Sequence, residues 1–576
     1  MFTLKDQQIL EKLKDLRKEV NLNNEEERYN YLRQFYRILR NGNEWAFPTN
    51  LVELLLHPKE IECLLWDSMN YKDKELGYKP GDKFIMYAGL CYKYEPEVDE
   101  NGIISPRCTT LIHHAVKNTK QIGRDWSRLF PLLFDICGRF DVNYTDESGY
   151  THFHAACRFN CNRVVQGFLE HGQDPNCIWP ETGDSALHIA LSFAWNNHIM
   201  VLLLRAGANP NLANKDALTP LHFIAKIPYI CGTVELFFQI NDELNQLVQI
   251  NARDKLGDTP LHMAAKYVHD KRILEVLLRN KADPTLANEE GSTPLHIICN
   301  RKEPYIDDMV KFFFEINEQL NQSVQVDARD NLGRTPLQLA AMHCLPYAVE
   351  SLLNHGADPS NFVFPTFSQL DECFGSYENI RCKFKLASGL LAVVESLEKR
   401  GYELESRDAM IIMILFKKQC MFQWSWTLDE LLRYDDDEEL ANEARQKMLK
   451  SDLSLYDLIH LRPQEAAKRL TYIDYYEFAR LENVWWIRYE MLAAMLARFV
   501  HLCETMSRKF FRSWALDSYW KLIHYRLPLE CCEIILDELM NQDLFNIFVA
   551  GGFENKCNNE RPVGAGRAPN RVKIEW

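Results

Sequence analysis

The chain lacks a long apolar run. Its longest, AMIIMILF at 409–416, is far short of the roughly 20 residues that a membrane-spanning helix needs. The opening MFTLKDQQILEKLKDLRKEV lacks the uninterrupted apolar stretch of a signal peptide. A basic excess is missing too: 66 Lys and Arg against 81 Asp and Glu give a net charge of −15, which argues against bulk binding to a phosphate backbone. None of the 17 cysteines forms a C-x-x-C pair. An odd number scattered through helical patterns fits free thiols in a reducing compartment better than a disulfide framework. There is no Gly-rich phosphate loop, no H-E-x-x-H and no Ser-His-Asp order. The expectation is an intracellular protein, cytoplasmic or also nuclear, with no membrane partner, no cofactor and no enzymatic activity of its own.

What the chain does have is ordinary globular composition, 47% hydrophobic and 26% charged, over 576 residues, too many for one ordinary core. It also repeats. Thr219-Pro220-Leu221-His222 recurs as Thr259-Pro260-Leu261-His262 and Thr293-Pro294-Leu295-His296, then as Thr335-Pro336-Leu337-Gln338. Looser copies begin at Thr110, Thr151 and Ser185, so the starts step by 41, 34, 34, 40, 34 and 42 residues. The tetrapeptide is a helix starter: Thr caps, Pro fills a position whose N–H would be orphaned, Leu points inward, and His returns a hydrogen bond to the cap. Three residues after His comes a small or modest residue (Cys157, Leu191, Ala225, Ala265, Cys299, Ala341), suited to close helix packing. Second helices follow in VLLLRAGANPN and ILEVLLRNKADPT, the first with Gly207 as a left-handed cap.

At these residues the chain resembles the ankyrin-repeat family over about 105–360, with seven units. The segments FFQINDELNQLVQINARDKLGDTPLHMAA and FFEINEQLNQSVQVDARDNLGRTPLQLAA are near copies 76 residues apart. Each adds roughly six residues, expected after the second helix, and duplication of a two-unit block explains both. In the first unit the extra residues, around KNTKQIGRDWSRLF, fall between its two helices. Stacked repeats offer an extended surface to another macromolecule, so the implied partner is a target protein. The loop tips, which commonly contact partners in ankyrin proteins, include Asp146, Glu147, Glu181, Asp216, Asp254, Glu289, Glu290 and Asp330. They form either an acidic comb for a basic target or a set of good turn residues.

Two further patterns invite chemistry. His154, Cys157 and Cys161 in HFHAACRFNC are spaced for one helical face, as zinc ligands would be. His154 is also the starter histidine, and Cys157 holds the slot of Cys299 and Ala341, so packing accounts for both and no metal is expected. RKFFRSWALDSYWKLIHYR (508–526) interleaves basic and aromatic residues, as single-strand binders do. Helical spacing instead makes Phe510, Trp514 and Ile523 core with the charges solvated, and the acidic chain disfavours nucleic acid.

Residues 1–104 suit a helical cap over the first repeat, 361–450 a helical connector containing the acidic YDDDEEL, 451–550 a second helical block, and 551–576 a disordered tail. Within the second block, RLPLECCEIILDELMNQDLF (526–545) reads as one helix with Pro528 in its first position and a narrow polar stripe of Glu530, Glu533, Asp537 and Asn541. Cys531, Ile534, Ile535 and Leu539 form one apolar flank; Cys532, Leu536 and Met540 form another.

Leu527-Pro528, Glu530, Ile535-Leu536, Leu539 and Asp543-Leu544 resemble the start of an F-box. Together with the preceding residues from about 455, they are similar to the PRANC domain of poxviral ankyrin proteins and related insect proteins, particularly those of parasitoid wasps. Cys531 departs from the usual Ile or Leu, and little ordered chain is expected after Leu544 for a third helix. The resemblance implies an all-α chain: an ankyrin solenoid flanked by an N-terminal helical cap and a C-terminal PRANC/F-box-like domain. It further implies that Leu527, Pro528, Glu530, Ile535, Leu536, Leu539 and Leu544 bind a Skp-type linker subunit of a cullin–RING ubiquitin ligase. The alternative is a scaffold that sequesters a signalling partner, with 527–544 packed against 470–525.

Overall fold

The starter tetrapeptides begin helices, as their chemistry dictates. The computed structural model describes residues 4–40, 51–93, 107–120, 126–137, 139–192, 197–227, 232–267, 271–301, 307–375, 379–422, 438–480 and 492–559. In it Thr110, Thr151, Ser185, Thr219, Thr293 and Thr335 are extended N-caps that close reciprocal capping boxes with the third residue of each helix. Histidine does at most of these what Glu or Gln does in the usual box, and it does more. The Thr219 N–H donates to His222 Nδ1 at 3.0 Å, which leaves the proton on Nε2 to be donated to Asp258 O at 3.1 Å. The same bridge to the next unit runs from His113 to Tyr150 O at 3.0 Å, from His154 to Cys177 O at 3.3 Å and from His188 to Leu218 O at 3.0 Å. His296 reaches Arg334 O at 3.1 Å. Each of these five histidines therefore rivets one repeat to the following one. Burial drives His113, His154 and His188 down to about 4, and His222 and His296 in the same direction.

The residues three positions after the starter histidine, Cys157, Leu191, Ala225, Ala265, Cys299 and Ala341, are all buried. Gly207 and Gly356 take φ +93° after their second helices, the left-handed C-cap that glycine adopts without strain. Thr259→Ala removes the hydroxyl that lies 2.8 Å from His262 Nδ1. It should cost about 0.5–2 kcal/mol, whereas Leu277→Pro inside the buried face of Lys271–Arg279 should cost about 3 kcal/mol or more. Thermal melts indistinguishable from wild type for both would refute this account of the repeat.

Two units make up the chain, Met1–Asp283 and Pro284–Trp576. In the first, helices Leu4–Glu19, Glu25–Arg40, Leu51–Leu55, Pro58–Asn70 and Lys79–Cys91 precede the repeats. Ion pairs Arg17–Glu60 and Arg28–Asp67 tie the block together. Lys79–Cys91 packs against Trp126–Cys137, the second helix of the first repeat. The approach is close, since a Cβ on Gly89 would sit 3.3 Å from Leu132 O. The N-terminal helices thus cover the apolar end of the stack. Inner helices Leu111–Lys117, His152–Arg158, Ala186–Leu191, Pro220–Lys226 and Pro260–Tyr267 alternate with outer helices Trp126–Cys137, Asn162–Glu170, Asn197–Arg205, Thr233–Glu243 and Lys271–Arg279.

The second unit carries the remaining two repeats, Pro294–Cys299 with Asp307–Gln319 and Pro336–Met342 with Pro346–Asn354. The duplicated insertions are not confined to the loop after the second helix. They lengthen the outer helices themselves, to 11 residues in Thr233–Glu243 and 13 in Asp307–Gln319, against 9 in Asn197–Arg205. Copies match in detail: Asn241 and Asn317 are buried and donate to Phe237 O and Phe313 O, each at 2.7 Å.

Beyond the repeats come helices Phe367–Gly375, Ile380–Lys399, Ser406–Lys418 and Glu438–Gln446, then Leu455–His460, Pro463–Arg469, Tyr472–Arg480 and Leu492–Leu522. Leu529–Asp537 and Asn541–Asn559 end the described chain. A short antiparallel pair, Met448–Lys450 with Leu453–Ser454, interrupts the helical pattern. No break falls at 450. Ile380–Lys399 packs on Pro346–Asn354, on Tyr472–Arg480 and on Leu492–Leu522, so connector and second block share one core. Glycine at 389 permits this, because a Cβ there would lie 2.4 Å from Cys344 O and 3.0 Å from the Tyr476 ring. The acidic run at 434–440 lies largely outside the described residues, as do 560–576. Residues 551–559, expected in a disordered tail, belong to the helix Asn541–Asn559. Among the described residues no helix is long and apolar enough to cross a membrane.

Candidate partner-binding surfaces

At the loop tips, short polar side chains make the turns before they can meet a partner. Asp146 is buried, and its Oδ1 accepts from Ser148 N at 2.9 Å and Tyr150 N at 3.0 Å. Burial would raise its carboxyl, but these hydrogen bonds, that of the Ser148 hydroxyl and the nearby His113 hold it below the usual range. Asp254 accepts from Leu256 N and Asp258 N at 2.9 and 2.8 Å, and Asp330 from Leu332 N and Arg334 N at 3.0 and 2.8 Å. Asn214 and Asn288 do the same in their own repeats. Asp146, Asp254 and Asp330 are thus turn anchors, whereas Glu181, Asp216 and Glu289 stay exposed. The tips also expose leucines that an acidic reading passes over: Leu256 at 62% and Leu332 at 75%. Their signal was present in the matched DKLGD and DNLGR turns, where an apolar residue stands at the apex.

The C-terminal segment is two helices, not one. Leu529–Asp537 has Pro528 as its N-cap rather than its first helical residue, and a new helix starts at Asn541. This second helix, 19 residues long, runs well past Leu544, where little ordered chain was expected. The polar stripe turns toward the neighbouring helix at Glu533, Asp537 and Asn541, while Glu530 stays exposed. Arg512 on Leu492–Leu522 holds Asp537 at 2.6 Å and Glu533 at 3.6 Å, while Cys532 and Leu536 bury beside it and Leu544 buries in the next helix. Leu536 and Leu544 are therefore internal packing residues rather than linker contacts. The other flank is open. Ile534 is 66%, Leu527 38% and Ile535 37% exposed, with Leu529, Met540, Tyr525, Pro528, Glu530 and Cys531 exposed around them and Leu539 half-buried. Leu529 and Ile534 were not singled out by the F-box pattern, although their exposure exceeds that of Leu527 and Ile535.

The loop before this helix turns on left-handed residues His524 (φ 56°) and Tyr525 (φ 59°), so Ile523 lies past the end of Leu492–Leu522. Phe510 is core, as the spacing predicts, whereas Trp514 and Ile523 are only half-buried and the core place falls to Phe511; Arg508 is buried rather than solvated. Its guanidinium has carbonyl partners inside the protein, which the alternation of basic and aromatic residues does not reveal.

At 154–161 both ring nitrogens of His154 are already used, Nδ1 by the Thr151 N–H and Nε2 by Cys177 O. Burial raises the Cys157 thiol well above its ordinary value. A zinc site would have to displace the repeat-to-repeat rivet. Purified protein should carry no stoichiometric zinc, and a chelator should leave its melting temperature unchanged; elemental analysis finding one zinc per chain would overturn that assignment.

A family model described as ankyrin repeats (3 copies) matches residues 112–212, 187–288 and 261–362. Neurogenic locus notch homolog protein 1 of Homo sapiens is 30% identical over 155 residues, 27% of this chain and 6% of that protein. Transient receptor potential cation channel subfamily A member 1 of Drosophila melanogaster is 29% identical over 182 residues, 31% of this chain and 14% of that protein. The chain thus spans only a small part of these relatives. Among solved structures, the ankyrin repeat domain of Bcl-3, a member of the IkappaB protein family, matches 37% of this chain and 90% of its own at 22% identity, with a TM-score of 0.31.

Proposed function

Because residues 112–362 are ankyrin repeats, and ankyrin repeats bind proteins, we propose that this chain is a non-catalytic adaptor. The repeats hold a target protein, and the outward face of 527–535 docks a Skp-type linker subunit of a cullin–RING ubiquitin ligase. Ubiquitin is then transferred by an enzyme of the assembled complex, and no catalytic residue comes from this chain. The observation that carries docking is the exposed apolar flank of Leu527, Leu529, Ile534 and Ile535 on a helix whose other flank is already buried. Large apolar side chains gathered on one exposed face are a mark of an interaction site, and two of the four, Leu527 and Ile535, are among the residues that resemble an F-box. The exposed acids Glu181, Asp216 and Glu289, with Leu256 and Leu332, are the candidate target contacts.

A second role, sequestration of a partner without ligase recruitment, is favoured by the burial of Cys532, Leu536 and Leu544 within the protein's own C-terminal block. Affinity purification of the full chain followed by mass spectrometry separates the two. Linker and cullin accompanying the chain support the adaptor; a well-folded sample without them leaves the scaffold.

A further inference from the structure

Residues 537–541, Asp-Glu-Leu-Met-Asn, contain neither Gly nor Pro, and nothing local obliges a helix to stop there. Yet Leu529–Asp537 ends and Asn541–Asn559 begins. The corner is met by a side chain from another helix. Arg508, from Leu492–Leu522, donates through Nη2 to Leu536 O at 2.9 Å and Asp537 O at 3.1 Å, carbonyls of the last turn; Leu536 O also accepts the Leu539 N–H at 3.3 Å. Its Nη1 lies 3.4 Å from Asn541 Oδ1 and 3.8 Å from Glu504 Oε1. Glu504 in turn accepts the Asn541 N–H at 2.6 Å, at the positive start of the next helix. Asn541 Nδ2 donates to Glu504 O at 3.1 Å and to Ser507 Oγ at 2.9 Å. From outside, Gln464 Nε2 donates to Asp537 O at 2.6 Å.

We infer that Arg508 is the positioning residue of the docking face: by drawing the Leu536 and Asp537 carbonyls onto its guanidinium it ends the helix, fixes its direction and sets how Leu527, Leu529, Ile534 and Ile535 are presented, with Glu504 joining it to the Asn541 N–H at the start of the next helix. The inference deepens the docking role and rests on it. Burial pushes Glu504 up to about 7, so the closed corner retains a proton that an opened, hydrated corner releases. Its stability is fully present below the ordinary carboxylate range and declines as pH rises through 7. The other groups facing Glu504 are Arg508, Ser507, Asn541 and Asp543. His501, one turn earlier, faces Ile459 and His460, and burial lowers it, out of this pH window.

The test is hydrogen exchange of the full chain alongside binding to a purified Skp-type linker subunit. Arg508→Met should raise exchange of the 536–541 amides by about tenfold or more, as expected for stranding carbonyls that bonded a charged donor, and should weaken linker binding. The repeats should keep their protection. Arg508→Lys, which restores charge but not the two-pronged donation, should recover part of both. After correction for intrinsic rates, wild-type opening should increase from pH 6 to pH 8, and Glu504→Gln should abolish that increase. Unchanged exchange and linker affinity in Arg508→Met would overturn the inference, as would a pH profile shared by wild type and Glu504→Gln. If Arg508→Met does not fold, Arg508→Lys and Glu504→Gln read the same quantities. Altered exchange with no linker binding even in wild type would refute the docking role while leaving the grip of Arg508 on the helix standing.

Discussion

Lowering the pH from 7 to 4 should unfold the repeats of Met1–Asp283. His113, His154 and His188 are buried as neutral rings, each accepting on Nδ1 and donating from Nε2. Burial depresses them to about 4 from the ordinary 6.5. The direction follows from proton counting: between those values the unfolded chain binds protons that the folded chain refuses, so stability is complete above 6.5 and is lost as pH falls toward 4. Each ring contributes about 3 kcal/mol to that loss, and three together rival the roughly 5–15 kcal/mol that keeps an ordinary domain folded. The natural control is already in the chain, for Gln338 Oε1 accepts the Thr335 N–H at 2.9 Å without a titrating ring. His188→Gln should keep the cap, lose the bond to Leu218 O and remove about a third of the acid sensitivity assigned to these rings. Melting followed by circular dichroism across this range checks both statements. A midpoint that does not move between pH 7 and 4.5 would show that the buried rings are not what holds the repeats together.

Replacing Ile534 and Ile535 together by Ala should weaken linker binding by about 2–4 kcal/mol, roughly thirtyfold to a thousandfold. Ile534 is 66% and Ile535 37% exposed, so truncation of Ile534 removes chiefly area that a partner would bury, while that of Ile535 also gives up some packing within the fold. Leu536 supplies the contrast. It is fully buried one residue further on, and Leu536→Ala should instead cost about 2–5 kcal/mol of stability. The adaptor requires these two losses to separate, docking in one variant and melting temperature in the other, with target binding by 105–360 kept in the first. If the isoleucine pair changes neither linker binding nor stability while the wild type does bind linker, docking lies elsewhere on the chain.

Much of the N-terminal two thirds was legible because its logic is local. A Thr or Ser cap, a proline in the first turn and a histidine at the third helical position specify a helix start without reference to distant residues, and the tetrapeptide marks each start wherever it recurs. The periodic apolar faces and the small residues at Cys157, Ala225 and Ala265 followed from the same helix geometry. Loop-tip acids were only half legible. Asp146, Glu181 and Asp330 are alike as sequence, and which of them anchors a turn depends on backbone N–H groups that converge only after folding.

By itself the sequence determined the helical class, the repeat and its starter chemistry, and the presence of an over-apolar segment near residue 530. Only the tertiary structure decided which side of that segment is free. Two apolar flanks of one helix are equivalent to a hydrophobic pattern, and a stripe of Glu533, Asp537 and Asn541 reads as solvent-facing. It faces inward because Arg508 and Arg512, some 20–30 residues earlier, project from Leu492–Leu522 and offer charge and donors to the carboxylates and the last carbonyls. Electrostatic pairing and the satisfaction of buried carbonyls thereby turn the polar stripe in, bury Cys532 and Leu536 beside it and expose Ile534 and Ile535. Periodicity records how apolar a face is, whereas its partner in space decides whether water ever sees it.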